Sequence, residues 1–417
     1  MREKIIARLS ELHGHEKESV SKLVESCQKI TPYTTLTVKD RCVINKSNIP
    51  LEEQIVLDYY KYLMNFYGEI KFPNRSYIMT ELMNIMPYLH LYKTYTIYKF
   101  DFQGFFYNVD CRKSFNTICQ IEGLRQNEIN FFKKYTSIVS EYMPGIGLHN
   151  SLIEISGQGF DSQIKKIFRK KGLLYYARYV DDCILILDEK VSESLIKAEI
   201  TKTMKACFGS KLILNSGKTN YYNSDVCNYE INYLGYVFAK GQSPKSQYKF
   251  GIAQEKLKKY KERINSYILE YDQTNNVELL SFKLEFLFKR IVYFGERKGD
   301  GKYRWQVRGI SDSYKELKRF MNNKALNEIT NETQKIFNKS IEECFKKNRV
   351  KIPAKINNQL KNDKFISCFI NNKALLLHRK IGLTPPQLKK RLNLLYKDNV
   401  ENLSYSELAS LLIKNLY

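Results

Sequence analysis

Apolar residues recur at helical spacing through the first thirty positions: Ile5, Leu9 and Leu12 are followed by Val20, Leu23, Val24 and Cys27, which predicts an amino-terminal helical cap. The period then changes. Residues 34–45 alternate as a short strand pair that carries Lys39 and Arg41, and residues 51–67 return to helical spacing after Pro50. Phe72-Pro73-Asn74-Arg75-Ser76 is a loop that opens another helix. Residues 97–100 form a short apolar strand ending in Asp101, with Gln103-Gly104 as a break before Phe105-Phe106. Helical character follows to about Val139, interrupted near Gly123, and a second long helix is expected from about Leu148 to Lys171, closed by Gly172.

Two β-prone runs, residues 173–177 and 183–187, enclose Tyr179-Val180-Asp181-Asp182, which reads as strand, tight turn, strand. Residues 192–208 are expected as a helix, 212–214 as a strand, and 230–238 as a further strand with Gly235 inside it. From Ile252 one face carries Ala253, Leu257, Tyr260, Ile264, Tyr267, Ile268 and Tyr271, while Lys256, Lys258, Lys259, Lys261 and Arg263 occupy the others. A separate helical lobe therefore begins here. Thr384-Pro385-Pro386-Gln387 and Ser404-Tyr405-Ser406-Glu407 are helix starts with a capping residue and a Gln or Glu three positions on. The last hundred residues are expected to be helices joined by short loops.

Length and composition narrow the classes. A chain of 417 residues with 43% hydrophobic and 13% aromatic residues holds two or three folded domains and is not a disordered polymer. Its 68 Lys and Arg against 44 Asp and Glu give a net charge of +24, which favours a polyanionic partner: nucleic acid first, an anionic membrane second. No apolar run is long enough to span a bilayer, and Arg2, Glu3, Lys4, Arg8 and Glu11 interrupt any signal-like core, so a soluble, unprocessed cytoplasmic protein is expected. Nine scattered cysteines without a Cys-x-x-Cys pair fit a reducing compartment and not a zinc site.

Asp181 and Asp182 sit at a hairpin tip, where Asp is favoured for turn geometry alone, so the tetrapeptide by itself reads equally well as an ordinary turn. Asp101 changes that, because it places a third carboxylate at a strand end eighty residues upstream. Nucleotidyl transfer needs such carboxylates gathered around two Mg²⁺ ions, one lowering the pKa of the attacking hydroxyl and one holding the leaving pyrophosphate.

From about residue 35 to about residue 310 the chain resembles a reverse transcriptase, and the order of motifs makes the likeness specific. Arg41 with Gln54, then residues 72–76, resemble the fingers segment of bacterial members and the loop after it. Residues 101–106 resemble the first palm motif, and Gly145-Ile146-Gly147-Leu148 with Glu154 and Asp161 the second. Residues 178–182 carry the Tyr-x-Asp-Asp motif, Leu214-Asn215 with Lys218-Thr219 resemble the next, and Tyr233-Leu234-Gly235-Tyr236 the primer-gripping hairpin. Pro144 and His149 depart from the family pattern, and His149 reads as a packed or hydrogen-bonding loop residue rather than a catalytic base.

The resemblance implies an α+β, right-hand polymerase: a helical cap over 1–30, fingers over 31–96, a palm of antiparallel sheet and helices with the remaining fingers elements over 97–248, a helical thumb over 249–330, and a helical extension over 331–417. It implies Asp101 and Asp181 as metal ligands with Asp182 as a weaker ligand or electrostatic partner, two Mg²⁺ ions with Mn²⁺ as a substitute, and Phe106 beneath the sugar of the incoming nucleotide. A triphosphate needs cations besides the metals, and Lys39, Arg41 and Arg75 are the candidates, with Lys218 as a general acid toward pyrophosphate. Ordinary solvated charge is the competing explanation for Lys39 and Lys218. Gly145, His149, Gln158, Tyr179, Tyr233, Leu234 and Gly235 are the template and primer candidates.

No ribonuclease H or homing endonuclease motif is present, the Asn-Ala-x-x-His signature of retron enzymes is absent around residues 80–86, and Val307-Arg308-Gly309 only approximates their thumb triplet. The resemblance is therefore to the bacterial defence-associated group, abortive-infection and unknown-group enzymes, with the type 2 defence reverse transcriptase favoured and type 9 as its rival. It implies a structured non-coding RNA template, a DNA product and primer, dNTPs as substrates, and no membrane partner. Thirty-one tyrosines, Tyr417 among them, keep protein priming open beside retron-type and template-independent synthesis. A non-catalytic RNA-binding protein of polymerase shape is the other rival, and clustering carboxylates near phosphates argues against it.

Overall fold

The computed structural model describes residues 1–26, 30, 32–38, 41–139, 141–296, 303–321, 326–371, 374–393 and 400–416. Two compact units divide it, Met1–Val226 and Cys227–Tyr417.

The first unit opens with α1 (Arg2–His13) and α2 (Lys17–Ser26), separated at Gly14, whose φ of 69° ends α1. The hairpin β1 (Thr35–Val38) and β2 (Arg41–Ile44) is the strand pair expected from the alternation. After α3 (Leu51–Tyr67) comes α4 (Arg75–Ile85), whose amino end is fixed because the Asn74 Oδ1 accepts the Ser76 and Tyr77 amides. Then follow β3 (Thr96–Asp101), α5 (Phe105–Asn108), α6 (Cys111–Ile118), α7 (Gln126–Ile138) and α8 (Gly147–Arg169). The hairpin β4 (Leu173–Tyr179) and β5 (Asp182–Leu187), α9 (Glu193–Phe208) and β6 (Asn220–Asn223) complete the unit.

These strands form one antiparallel sheet in the order β4-β5-β3-β6, with β3 inside it and all six of its residues buried. Strand alternation puts Tyr98 and Phe100 on one face and Ile97, Lys99 and Asp101 on the other. Phe102 continues the apolar face, with its ring 5.2–5.8 Å from those of Phe100, Phe105, Phe160 of α8 and Phe208 of α9. These aromatic contacts hold the two long helices over the sheet. The strand expected at 212–214 is reduced to a single bridge between Leu214 and Phe102.

The second unit begins with β7 (Glu230–Tyr233), β8 (Tyr236–Lys240) and β9 (Tyr248–Ile252), a three-stranded antiparallel sheet. The single strand expected over 230–238 is instead a hairpin, because Leu234 and Gly235 adopt φ values of 47° and 82° and reverse the chain in two residues. Helices α10 (Gln254–Thr274) and α11 (Val277–Phe288) follow as expected, then β10 (Ile291–Glu296), β11 (Tyr303–Arg308), α12 (Ile310–Ser313), α13 (Asn331–Lys335), α14 (Lys339–Asn348), α15 (Ala354–Lys361) and α16 (Lys364–Ile370). The chain closes with β12 (Leu375–His378), β13 (Ile381–Gly382), α17 (Pro385–Asn393) and α18 (Tyr405–Leu416).

Two expectations need correction here. A purely helical 249–330 and a purely helical 331–417 are replaced by a shared four-stranded sheet, β11-β10-β12-β13, in which β10 pairs antiparallel with β11 and parallel with β12. The run Ile291-Val292-Tyr293-Phe294 is β-branched and aromatic, and such a run is ambiguous by period until its partners are known. Ile291, Tyr293 and Leu377 pack with Leu388 and Leu392 of α17 and Leu408, Ala409 and Leu412 of α18 in one core. The Ser404 capping box is complete, with Ser404 and Glu407 bonding each other's amides at 3.3 and 2.7 Å, and at Thr384 the Gln387 Oε1 accepts the Thr384 amide at 3.0 Å. The chain is thus α+β with largely antiparallel sheets. Among the described residues no helix is long and apolar enough to cross a membrane, and all eight described cysteines are free thiols.

Candidate active site

Register alone brings two of the three acids together, since Asp101 at the end of β3 lies directly opposite Asp182 at the start of β5. Asp181 precedes it in the turn, and its carbonyl accepts the Phe102 amide at 3.3 Å. Ligand atoms of Asp101, Asp181 and Asp182 all lie within 4.8 Å of one another. Asp101 is 2% exposed, and each of its carboxylate oxygens takes a donor: Asn215 Nδ2 at 3.2 Å and Lys218 Nζ at 3.2 Å. Asn215 is itself held there by its backbone amide on the Asp101 carbonyl at 2.8 Å.

Like charges this close oppose one another's ionisation. Burial pushes the Asp181 carboxyl up and the Asp101 charge adds to it, while Lys218 and Arg41 pull it down. Burial likewise pushes Asp182 up, opposed by Lys99 and reinforced by Asp101 and Asp181. For Lys218 burial works downward, but the hydrogen bond and charge of Asp101, with Asp182 and Asp181 behind it, raise it on balance. An all-oxygen donor set with a surplus of negative charge fits a hard divalent cation such as Mg²⁺ or Mn²⁺.

The turn that carries Asp181 is strained and clamped. Val180, a β-branched residue, sits at φ 60°, where such side chains are rarely found. Arg178 holds it: its Nη1 donates to the Val180 carbonyl at 3.2 Å, and the same guanidinium bonds Glu154 at 2.7 and 3.2 Å and Asp161 at 2.9 and 3.0 Å, both acids on α8. Burial pushes the Glu154 carboxyl up against the pull of Arg178, and the two acids keep the arginine firmly protonated. Gly157 has to be glycine, since a Cβ there would come within 2.3 Å of the Arg178 guanidinium.

Arg41 is exposed on β2, and its charge reaches Asp181. That hairpin is tied down twice: the Tyr107 hydroxyl of α5 donates to the Cys42 carbonyl at 2.7 Å, and the Ile44 amide donates to the Pro144 carbonyl at 2.8 Å. Gly145, at φ 122°, permits the second contact, because a Cβ there would press on the Ile44 backbone at 2.9 Å. Gly145 therefore has a structural task of its own beside the template role expected for it. Phe106 is half-buried on α5 while Phe105 is 3% exposed in the core. Tyr179 is partly exposed and pairs with Asp182 across the hairpin.

The remaining expected residues are less uniform. Lys39 lies outside the described residues. Arg75 is the first residue of α4, partly buried. Gln158 donates to the Glu69 carbonyl at 3.1 Å from the partly exposed side of α8. Tyr233, Leu234 and Gly235 lie in the second unit, and Tyr233 is 1% exposed, so its ring is a core group, while Leu234 and Gly235 form the tight turn. His149 is corrected on two points. It lies on α8 rather than in a loop, and it is fully buried, with Nε2 bonded to the Tyr135 hydroxyl at 2.7 Å and Nδ1 2.9 Å from the Met143 carbonyl. A template strand has no access to it.

Three contributors had no role assigned from the sequence: Asn215 and Arg178, which stand in motifs, and Lys99, which stands in none. Period two was the available signal for Lys99, since positions 97, 99 and 101 share a face and a lysine in an otherwise apolar buried strand needs a reason. Its ammonium lies 3.4 Å from the Lys218 carbonyl.

No protein-family model matches the chain, and neither does any curated protein. Among solved structures, apo telomerase from Candida tropicalis truncated from its C-terminal domain is similar at 14% identity over 58% of this chain and 60% of its own, with a TM-score of 0.37. Telomerase from Candida albicans in complex with a TWJ fragment of telomeric RNA is similar at 11% identity over 85% and 62%, with a TM-score of 0.40. The Candida tropicalis enzyme with the same kind of fragment gives 12%, 84%, 68% and 0.36. The chain spans about three fifths of the length of the first two.

Proposed function

We propose that this chain is an RNA-directed DNA polymerase. The observation that carries the reading is the convergence of Asp101 with the adjacent pair Asp181 and Asp182, eighty residues on, within 4.8 Å at one end of a sheet. In this reading Asp101 and Asp181 hold the metal pair and Asp182 is a weaker ligand or electrostatic partner. Two Mg²⁺ ions bound there supply a lowered pKa for the primer hydroxyl and charge neutralisation for the leaving pyrophosphate. Arg41, with Lys39 and Arg75 as further candidates, meets the triphosphate. The Lys218 ammonium, held at the Asp101 carboxylate, gives its proton to pyrophosphate. Phe106 fills the space that a 2′-hydroxyl would need, and the basic helix α10 tracks phosphates of the product duplex. The fingers, palm and thumb division belongs to the same reading.

Its finer part, resting on the ordered motifs, is a cytoplasmic defence enzyme that copies a structured non-coding RNA into DNA during phage infection. Purified protein incubated with Mg²⁺, its copurifying RNA and labelled dNTPs or NTPs tests the core of this. DNA synthesis that is ribonuclease-sensitive and absent in Asp181→Asn is expected; no incorporation, or a preference for NTPs, overturns it. Phe106→Ala should raise ribonucleotide incorporation about tenfold or more, and unchanged sugar selectivity would remove Phe106 from that role. Sequencing the copurifying RNA and its cDNA tests the non-coding template, and plaque counts with wild type and Asp181→Asn test the defence role.

A further inference from the structure

The hairpin of β1 and β2 has little packing of its own. All four residues of β1 are exposed, and on β2 Ile44, at the base, is the buried one. A two-stranded hairpin is marginal in water, so its direction is set by what holds its base. There the Asn45 amide donates to the Thr34 carbonyl at 2.9 Å and closes the ladder.

Both sides of that base run into one chain of buried polar groups. On the β1 side, Tyr33 packs against the core of the first unit; its hydroxyl oxygen lies 3.3 Å from that of Tyr135 on α7 and is also bonded to the buried Glu53 carboxylate on α3. Tyr135 is fully buried, and its hydroxyl meets the His149 Nε2 at 2.7 Å. The other ring nitrogen, Nδ1, lies 3.1 Å from the Met143 amide nitrogen and 2.9 Å from the Met143 carbonyl oxygen. Met143 precedes Pro144, whose carbonyl takes the Ile44 amide on the β2 side. The chain Glu53, Tyr33, Tyr135, His149, Met143 therefore grips the hairpin from both strands. Hydrogen bonds in such an interior are costly to leave unmade, which makes the grip stiff.

We infer that Tyr135 and His149 are positioning residues for Arg41, fixing the angle at which β2 leaves the body of the unit. Arg41 begins β2, and its charge reaches Asp181. It stands three residues from Ile44, about 10 Å along a strand, so a tilt of about 10° at the base carries it about 2 Å, enough to break a charge-assisted hydrogen bond. Pro144 and His149, the two departures from the family pattern, acquire one joint task. The consequence for the nucleotide rests on the polymerase reading, in which Arg41 meets the triphosphate; the grip on the hairpin does not.

Tyr135→Phe keeps the ring and its volume and removes both hydroxyl links, and His149→Gln is the second variant. Hydrogen–deuterium exchange of the full chain reads the grip without any need for activity: the Ile44 and Met143 amides should exchange about threefold faster or more in each variant, with β3 and β5 as slow as in wild type. In steady-state DNA synthesis the same variants should raise the KM for dNTP about fivefold and keep kcat within about twofold, the signature of lost ground-state binding. In an Arg41→Gln background Tyr135→Phe should change KM by less than about twofold, because its effect passes through the missing guanidinium. Wild-type exchange at Ile44 overturns the grip. Faster exchange with unchanged KM, or an equal KM effect in the Arg41→Gln background, overturns the link to Arg41, and faster exchange throughout β3 and β5 with a fall in kcat makes the chain merely structural and overturns it too. A wild-type protein that incorporates no nucleotide sinks the polymerase reading, while exchange at Ile44 still decides the grip.

Discussion

In the first unit, β4-β5-β3-β6 is covered so fully that all of β3 is buried, and its charged groups collect where two strands end. In the second, β11-β10-β12-β13 is covered on one side and spreads exposed rings across the other. A strand end concentrates a few groups in a small volume, so every member depends on its neighbours: the acids on Lys218, Lys99 and Asn215, the turn on Arg178. A sheet face spaces its groups apart, so each acts nearly alone. Single substitutions should therefore be severe in the first sheet and mild in the second.

The sharpest test of that contrast is Asp101→Asn or Asp181→Asn, each expected to lower DNA synthesis by about a thousandfold or more, roughly 4 kcal/mol of barrier. Thermal melting should be retained, since one repelling charge is removed; activity above a tenth of wild type would break the triad. Next comes Arg178→Met, which leaves Glu154 and Asp161 without their shared cation and should cost about 3–5 kcal/mol in denaturant unfolding. A loss under about 1 kcal/mol would mean the clamp is dispensable.

A third test uses pH. Burial among Tyr33, Tyr135 and Tyr142 lowers His149 from its ordinary 6.5 to about 4. The unfolded chain then takes up this proton at a higher pH than the folded one, so stability is intact above about pH 6.5 and falls as pH drops toward 4. The fall attributable to His149 is on the order of 3 kcal/mol and should be absent from the difference curve of His149→Gln. The smallest effect is expected at Trp305→Ala, within about 0.5 kcal/mol of wild type in unfolding although the largest side chain type is removed. Melting like a core variant would show that the ring row is structural and the contrast false.

The two sheets also differ in how legible they were. The first could be read because its signals are local: apolar runs of strand length end in carboxylates, and Val180-Asp181 can only be a turn between them. Lys99 and Arg178 were harder, because their work depends on partners across strands and on α8. In the second sheet the parallel neighbours β10 and β12 are separated by several helices, and nothing near residue 291 announces a partner at 375. The strands that replace helix in 291–308 and 375–382 therefore have no local signal beyond their β-prone residues. His149 and Tyr233, named as template and primer candidates, are both buried, which sequence order alone does not reveal.

That long separation bears on how the protein is made. As the polypeptide leaves the ribosome, β10 and β11 can close as a hairpin at once, but the flank of β10 stays bare until Leu375–His378 has emerged. Through that interval the nascent chain presents an unpaired, apolar strand edge, the kind that joins with its equivalent on another copy. A premature stop anywhere between the two strands would make that exposure permanent, and the shortened product should accumulate in inclusion bodies although the carboxylate cluster had already been translated.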